Sequence, residues 1–368
     1  MDFSPSARAL EYRSRLQRFM SDLVLPSIPD WQRYADANVY PLDVIEPLKH
    51  QAREVGLWNL FLPGLRHDQP GTRLSHLDYA PLAETMGRVP WAAEVFNCSA
   101  PDSGNIELLQ LFADAPQRAR WLEPLLSGDI RSCFAMSEPD VASSDPTQLQ
   151  TRIAHEGGQL VVHGRKWFIT GAAHPNCKLM LLMGIDDSTC AGEPHQRHSI
   201  VLVPMDTPGV TVQRNLPVMD HQALEGHCEI VLRDVHIGAD HLLGTAGAGF
   251  AMAQARLGPG RVHHAMRSIG QCELALALMC ERALERRAFG KRIADQANVL
   301  DWIAQSRVEI DQARLWSWGR ALRLLDGPDE VHLRSIARAE LAAARSHHGA
   351  AAAHLRRWMP PPEASDGP

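Results

Sequence analysis

The spacing of apolar residues changes twice along this 368-residue chain, and that order constrains the fold more than any single motif. In residues 1–130, apolar residues recur at spacings of three and four residues, which predicts an α-helical domain. Residues 131–243 hold short apolar runs between turn-forming residues, which predicts an antiparallel β domain of the barrel or sandwich type. Helical spacing returns over 244–346. The sequence therefore predicts an α+β protein with a C-terminal helical bundle.

The positions of turn-forming residues support these boundaries. Strand-length runs at 132–136, 160–163, 179–183 and 200–203 are separated by turns at 156–158, 186–188 and 207–209. Two long helical segments are expected at about 251–287 and 295–325, and Gly258-Pro259-Gly260 should kink or begin the first. Residues 347–368, with an Ala run and three successive prolines, are expected to form a frayed helix and a disordered tail.

Charge and cysteine usage exclude several classes of protein. The 37 basic and 43 acidic residues are interspersed and give a formal charge of -6, which disfavours nucleic acid as the main partner. Seven scattered cysteines with no C-x-x-C pair fit reduced thiols, so a cytoplasmic location is expected. The sequence shows neither a signal peptide nor an apolar run long enough to cross a membrane.

Two polar segments follow predicted strands. One is Phe134-Ala135-Met136-Ser137-Glu138-Pro139, and the other runs from Gly164 through Lys166-Trp167-Phe168-Ile169-Thr170 to Gly171. Such strand ends present hydroxyls and backbone N–H groups that could grip a flat heterocycle. They could equally be two ordinary hairpin ends in which Ser and Thr serve as turn residues.

Taken together, the two segments resemble the acyl-CoA dehydrogenase family, in which the corresponding strands hold the isoalloxazine ring of FAD. The resemblance implies a role in cofactor binding for Phe134, Ala135, Met136, Ser137, Phe168 and Thr170. It also implies that Ser144 contacts the acyl-CoA substrate. The turn is one residue longer than the common form, so Ser143 remains an alternative to Ser144.

A third segment, Glu285-Arg286-Arg287-Ala288-Phe289-Gly290-Lys291, could be a solvated helix end whose cations complement the helix dipole. It also resembles the family motif that reaches the FAD of a neighbouring subunit. The resemblance implies that Arg286, Phe289 and Gln296 bind cofactor, with Ala288 in place of the usual threonine. It further implies a homodimer or homotetramer.

The segment Leu325-Asp326-Gly327-Pro328-Asp329 reads structurally as a helix break followed by a capping residue. By resemblance, Asp326 is the base that removes the substrate α proton, Gly327 contacts substrate, and Arg261 orients the base while lying beside the substrate. No metal is expected. His263 and His264 are adjacent on a helix and are interpreted as packing or surface residues.

The Asp326-Gly327-Pro328 form and Leu257-Gly258-Pro259-Gly260-Arg261 resemble a subgroup that acts on longer or branched acyl chains and is fused to a phosphotransferase-like domain in animals. The resemblance implies FAD-dependent α,β-desaturation of a medium-chain, long-chain or branched acyl-CoA. The reaction would pass electrons to an electron-transferring flavoprotein.

One departure from the family pattern weighs against activity. Between Leu315 and Trp318 roughly 60 residues are missing, enough for one to two helices. Losing one helical pass would leave Asp326 at the wrong end of the bundle and would expose a stripe with Trp302, Ile303 and Ile310. Two alternatives follow: a catalytically impaired deletion variant or paralogue with a binding role or none, and a flavin monooxygenase on the same fold.

Overall fold

The computed structural model describes residues 5–323, with side chains as far as residue 315. The expected tail at 347–368, together with Asp326 and Gly327, lies outside the described residues. Within them the α+β order is confirmed: helices, then one large sheet, then two long helices.

The N-terminal domain consists of short helices whose starts are set by local capping. Ser6 and Ser75 each accept a backbone N–H three residues ahead, at 3.1 Å, and Asp114 forms a capping box with Gln117. The α-helices of this domain are α1 (Ala7–Phe19), α2 (Ile28–Asp36), α3 (Leu42–Glu54), α4 (His76–Gly87), α5 (Ala92–Val95), α6 (Asp102–Phe112), α7 (Ala115–Gln117) and α8 (Glu123–Ser127).

The middle domain is one eight-stranded sheet in the order β6-β7-β3-β2-β4-β5-β8, with β1 also paired to β4. Gly157 and Gly158, both at positive φ, form the two-residue turn between β2 and β3, as the sequence predicts. The strands are β1 (Arg131–Ala135), β2 (Arg152–Glu156), β3 (Gln159–Thr170), β4 (Cys177–Asp186), β5 (His198–Pro204), β6 (Val210–Asn215), β7 (His227–Gly238) and β8 (Leu242–Leu243).

The predicted β domain is confirmed, but its mainly antiparallel sheet also contains parallel pairings at β4. The whole of β1 runs parallel to β4, and the start of β2 also runs parallel to β4. Both pairings join strands separated by long stretches of chain, and a parallel pair needs such a crossover. The apolar runs of β4 and β5 are buried from end to end because both faces of the sheet are covered there.

The C-terminal region consists of α9 (Gly249–Glu285), a hairpin of β9 (Arg287–Ala288) and β10 (Lys291–Arg292), and α10 (Ala297–Arg323). Helix α9 runs through Pro259 as one continuous helix of 37 residues. Pro259 therefore does not begin this helix, contrary to one of the two sequence expectations. Packing of α9 against α4, α6 and β5 offsets the hydrogen bond that proline removes.

Helix α10 folds back against α9, and a cluster of ion pairs holds the two together. The Glu273 carboxylate on α9 accepts from Arg307 at 2.7 Å and also pairs with Arg314, which binds Glu84 of α4 at 2.9 Å. Hydrogen bonds from Arg307 lower the pKa of Glu273 to about 2, and Arg314 adds to this effect. The cluster ties both long helices to the N-terminal domain.

The expected exposed stripe on α10 is only partly present. Trp302 is 59% exposed, whereas Ile303 is half-buried and Ile310 is 8% exposed because it packs toward α9. Leu300, Val308 and Leu315 contribute further exposed apolar surface. The face of α10 that points away from α9 therefore carries the apolar surface.

A buried ionic cluster joins the N-terminal domain to the sheet. Glu94 accepts from Arg131 at 2.8 Å, from His174 at 3.1 Å and from the Tyr40 hydroxyl at 2.6 Å, while Arg131 also pairs with Asp102. Burial alone would raise the pKa of Glu94, but the charge of Arg131 and these hydrogen bonds lower it to about 2. The charges are compensated within the cluster, which fixes where β1 leaves the helices.

Two glycines let α4 and α9 touch through their backbones. A Cβ added to Gly270 would overlap the carbonyl oxygen of Glu84, and one added to Gly87 would overlap that of Arg267. Any other residue at either position must push the two helices apart. This contact fixes the height of α9 against the N-terminal domain.

We expect Gly270→Ala to lower the free energy of unfolding by about 1–3 kcal/mol or more, because the added methyl meets backbone that cannot rotate away. Gly260→Ala on the same helix is the control, since its Cβ would meet nothing within 4 Å and alanine favours helix. Thermal unfolding of both variants measures the difference. A Gly270→Ala protein as stable as Gly260→Ala would contradict the glycine contact.

Candidate active site

The turn that follows β1 is anchored from below by a fully buried lysine. Lys166 of β3 donates to the Glu138 carboxylate at 2.8 Å, to the Met136 carbonyl at 2.9 Å and to the Met183 carbonyl at 2.7 Å. All three ammonium hydrogens are therefore used. Glu138 in turn accepts the backbone N–H groups of Gln150 and Thr151.

Burial and charge act against each other in this pair. Burial lowers the pKa of Lys166 to about 8, while the charge of Glu138 opposes the shift. Burial would raise the pKa of Glu138, but the Lys166 charge and hydrogen bonds bring it below its ordinary value. The pair is thus a rigid, desolvated staple between the β1 turn and β3.

Beside this staple, β3 carries a bulge that turns one aromatic side chain outward. The pairing of β3 with β7 shifts register between Lys166 and Ile169, and Phe168 adopts a φ of 51°. Phe168 is 43% exposed and its ring meets Trp167 edge-on at 4.8 Å. A non-glycine residue in the left-handed region is strained unless its surroundings impose it, which is typical of ligand-binding positions.

Ser137 and Thr170 lie on these two neighbouring segments. The backbone N–H of Trp167 donates to the Ser137 carbonyl at 3.0 Å, so the β1 turn and the β3 bulge are directly bonded. The Thr170 hydroxyl lies 3.0 Å from His227 Nδ1, whereas within residues 5–323 the Ser137 hydroxyl has no hydrogen-bond partner. Both residues are half-buried. The structure therefore brings Phe134, Ala135, Met136, Ser137, Phe168 and Thr170 to one edge of the sheet.

The two serines of the long turn have different environments. Ser143 Oγ accepts the Glu138 N–H at 3.0 Å, so this hydroxyl stabilises the turn itself. Ser144 is exposed and has no partner among the residues described. The extra residue of the turn is accommodated by Asp145, which caps the short 3-10 helix that begins at Pro146. Ser144 is therefore the serine available to a ligand.

A cavity of about 580 Å³ opens where the β4–β5 connection meets the start of α9. It is lined by Ser188, Thr189 and His195 of that connection and by Gly247 and Ala248, which come just before α9. His195 stacks on Phe250 with ring centroids 4.3 Å apart. Hydrogen bonds from Thr147 and Gln148 lower the pKa of Asp145, with a further contribution from His195.

Sequence reasoning missed two residues at this edge. The Arg256 guanidinium lies 4.2 Å from the Phe134 ring centroid, and its Nε donates to Asn105 at 2.8 Å. His227, on β7, is the partner of Thr170. An arginine inside the apolar stretch that opens α9 is the one signal that could have pointed to Arg256, whereas nothing in the local sequence marks His227.

Arg261 lies on α9 five residues beyond Arg256, and its side chain is engaged in a further interaction. Helix α10 runs antiparallel to α9, and its direction bears on where the chain leads despite the missing segment. Arg323 is nine residues beyond Arg314, so α10 runs about 14 Å past the Glu273 cluster, back toward the Arg261 end of α9. Asp326 itself lies outside the described residues, so the expectation about the end of the bundle at which it lies stays a prediction.

The third segment forms a projecting hairpin. Phe289 and Gly290 are its two-residue turn, both at positive φ, and Phe289 is 98% exposed. Arg286 is exposed and Gln296 is half-buried at the start of α10. Because α9 is about 55 Å long, these residues are far from the β domain of their own chain. They do not join the β1–β3 edge within one subunit.

Comparisons with known proteins match this architecture domain by domain. Family models for the N-terminal, middle and C-terminal domains of acyl-CoA dehydrogenases match residues 6–129, 133–235 and 247–321. The chain is 44% identical to FadE2 of Mycobacterium tuberculosis, which is named as an acyl-CoA dehydrogenase, over 95% of this chain and 100% of that protein. The chain belongs to the acyl-CoA dehydrogenase family. Members of this family are flavin-dependent oxidoreductases that use FAD.

Two further comparisons describe its place in the family. The chain is 38% identical to rat acyl-CoA dehydrogenase family member 11, over 92% of this chain but 51% of that protein, so it spans about half the length of this animal relative. A solved structure from Mycobacterium abscessus, described as an acyl-CoA dehydrogenase, is 45% identical with a TM-score of 0.81 and covers 87% of this chain and 81% of that one.

The comparison with FadE2 also bears on the shortage of residues. It extends over 415 positions, more than the 368 residues of this chain, although it includes all of FadE2. FadE2 therefore contains residues that have no counterpart here. The position of the gap, near residues 315–318, stays a prediction.

Other expectations concern features outside the site. All seven cysteines are free thiols. Over residues 5–323, no helix combines the length and apolar character needed to cross a membrane. His263 is buried in the interior and His264 is exposed, which agrees with the interpretation of the pair as a packing residue and a surface residue.

We expect Lys166→Met to lower the free energy of unfolding by about 3–5 kcal/mol, because Glu138 would stay buried without its cation. The double variant Lys166→Met/Glu138→Gln should recover part of this loss. Lys178→Met on β4 is the control, since Lys178 is exposed and its removal should change stability by no more than about 0.5 kcal/mol. Chemical denaturation measures all three; equal stability of the two single variants would contradict the role of the buried pair.

Proposed function

We propose that this chain is a FAD-dependent acyl-CoA dehydrogenase that introduces an α,β double bond into a medium-chain, long-chain or branched acyl-CoA. The observation that carries the proposal is the pair of polar strand ends joined through Trp167 and Ser137 and fixed by buried Lys166. They form a rigid edge with an outward-facing aromatic ring and a half-buried hydroxyl that lacks a partner.

The donor set at this edge fits the family cofactor. The Ser137 hydroxyl has no hydrogen-bond partner among the residues described, and the Thr170 hydroxyl is oriented by His227. The Phe168 ring is exposed, and the backbone of Phe168 adopts a left-handed conformation. Phe134 and Arg256 lie behind the β1 end and support it. A bound flavin supplies the chemistry of accepting a hydride equivalent from the β carbon. The residues of this chain bind and orient it and exclude water from one side of the site.

The acyl-CoA is proposed to enter beside the cavity at the start of α9. Ser144 is exposed, and its hydroxyl has no partner among the residues described, while His195 and residues at the start of α9 line the cavity. A volume of about 580 Å³ is in the range of cavities that hold a nucleotide-sized ligand. We assign the CoA portion to this cavity and the acyl portion to the region between Arg256 and Arg261.

Asp326 is proposed as the base that removes the α proton, with Gly327 next to the substrate and Arg261 orienting the carboxylate. The course of α10 supports this pairing. Asp326 follows α10 in the sequence, and α10 runs antiparallel to α9, with Arg314 paired to Glu273, so its described part leads toward the Arg261 end of α9. An enclosed, apolar site would raise the pKa of a carboxylate and make it a better base.

We expect Asp326→Asn to retain FAD and its yellow colour but to slow anaerobic bleaching by acyl-CoA about 100-fold or more, because the proton acceptor is lost. Asp329→Asn, three residues away, is the control and should bleach like the wild type. Stopped-flow absorbance with acyl-CoAs of increasing length and branching measures the rate and identifies the preferred chain.

Measurements on the purified wild type and on Asp326→Asn distinguish the alternatives. Purified wild type that is colourless would favour a deletion variant without catalytic function. Yellow protein that bleaches equally fast with Asp326→Asn would remove Asp326 from the mechanism. Turnover that consumes oxygen and hydroxylates a substrate, with no need for Asp326, would favour the monooxygenase.

The hairpin is proposed to bind the FAD of a neighbouring subunit in a homodimer or homotetramer. Arg286 would contact its pyrophosphate, and Phe289 and Gln296 would pack near its adenosine half. Phe289 is exposed, and the length of α9 separates the hairpin from its own β domain. Both observations support a contact between the hairpin and a second copy of the chain.

We expect Arg286→Ala and Phe289→Ala to lose FAD during gel filtration and to dissociate at higher protein concentration than the wild type. Lys291→Ala on the same hairpin should retain both FAD and assembly, since it removes a similar charge outside the proposed contact. Light scattering coupled to absorbance measures mass and flavin content together. Full flavin content in a monomeric protein would exclude the contribution in trans.

The electron acceptor is proposed to be an electron-transferring flavoprotein. The location is proposed to be the cytoplasm, where the seven thiols would stay reduced.

A further inference from the structure

Three ligand-type side chains, two buried and one half-buried, converge where α4, α6 and α9 meet. They are His76 at the start of α4, Glu107 of α6 and His263 of α9. One ligand atom from each lies within 4.8 Å of the other two. Glu107 is 8% exposed and His263 is 3% exposed, and they come from different domains.

These ligand atoms are not used by other residues in the part of the chain that the structure describes. Both carboxylate oxygens of Glu107, both ring nitrogens of His263 and Nδ1 of His76 lack hydrogen-bond partners among the residues described. A buried polar group without a partner costs stability, and three together are rarely kept without a ligand. The ring of His263 is held by Tyr79 at 4.8 Å and Phe61 at 6.0 Å, so packing rather than hydrogen bonding orients it.

We propose that His76, Glu107 and His263 bind a transition-metal ion of the zinc class that links α4, α6 and α9. Two imidazoles and one carboxylate are a donor set typical of zinc and unsuited to magnesium or calcium. Ligand atoms around tetrahedral zinc lie roughly 3.4 Å apart, so the side chains must close by at most about 1.4 Å. His76 is only half-buried, which gives the ion a route of entry.

The local charges are compatible with this ion. The buried Glu107 carboxylate has no hydrogen-bond partner among the residues described, and Arg256 is the cation nearby. Both ring nitrogens of His263 also lack partners there and are free to coordinate. A divalent ion would supply a positive charge beside Glu107 and bind these nitrogens.

Metal analysis of the purified full chain tests the proposal. The protein is stripped with a chelator, equilibrated with zinc, desalted and measured by mass spectrometry together with its flavin content. We expect about one zinc per chain in the wild type, a loss of more than tenfold in zinc affinity for Glu107→Gln and His263→Gln, and a zinc-dependent rise in unfolding temperature only in the wild type. His264→Gln, the exposed neighbour on α9, is the matched control and should bind zinc normally.

His76→Gln covers the case in which a variant of the two buried residues fails to fold, because His76 is closer to the surface. Wild type that binds no zinc, or variants that bind as much as His264→Gln, would overturn the proposal. The result is independent of the dehydrogenase assignment, since flavin content and bleaching are read separately.

Discussion

The ammonium group of Lys166 fixes the geometry on which the candidate site depends. It is fully buried, and its three hydrogen bonds join β3 to the β1 turn and to β4. Since a buried ammonium cannot be left without partners, the turn that carries Ser137 has one permitted position relative to the bulge that carries Phe168. A pre-set edge of this kind lets a flat ligand bind without reorganising the sheet.

Helix α9 connects this edge of the sheet to the rest of the molecule. Its start borders the cavity lined by His195, Arg256 supports Phe134, and Gly270 sets its contact with α4. The same helix ends in the hairpin that projects Phe289 into solvent. One helix therefore connects the cavity, the edge proposed to bind flavin and the hairpin proposed to contact a neighbouring subunit. Helix α10 returns along α9.

Much of this was predictable because the signals are local. Strand-length apolar runs, the Gly157-Gly158 turn and helical spacing specify element type, and the motif spacing specified the β1–β3 edge. The parallel pairing of β4, the contact between Thr170 and His227, and the contact of Arg256 with the Phe134 ring were not predictable. Each joins residues far apart in sequence, and no local pattern records which distant partner a strand or side chain meets.

The sequence by itself determined the α+β order, the family and the residue types of the site, because periodicity and motif spacing are written in neighbouring residues. Only the tertiary structure decided that Ser143 serves the turn while Ser144 is available, and that α10 leads back toward Arg261. It alone showed that His263, read from sequence as a packing residue, meets Glu107 and His76. These outcomes depend on packing between separate helices and strands, where burial and the supply of hydrogen-bond partners decide what each side chain can do.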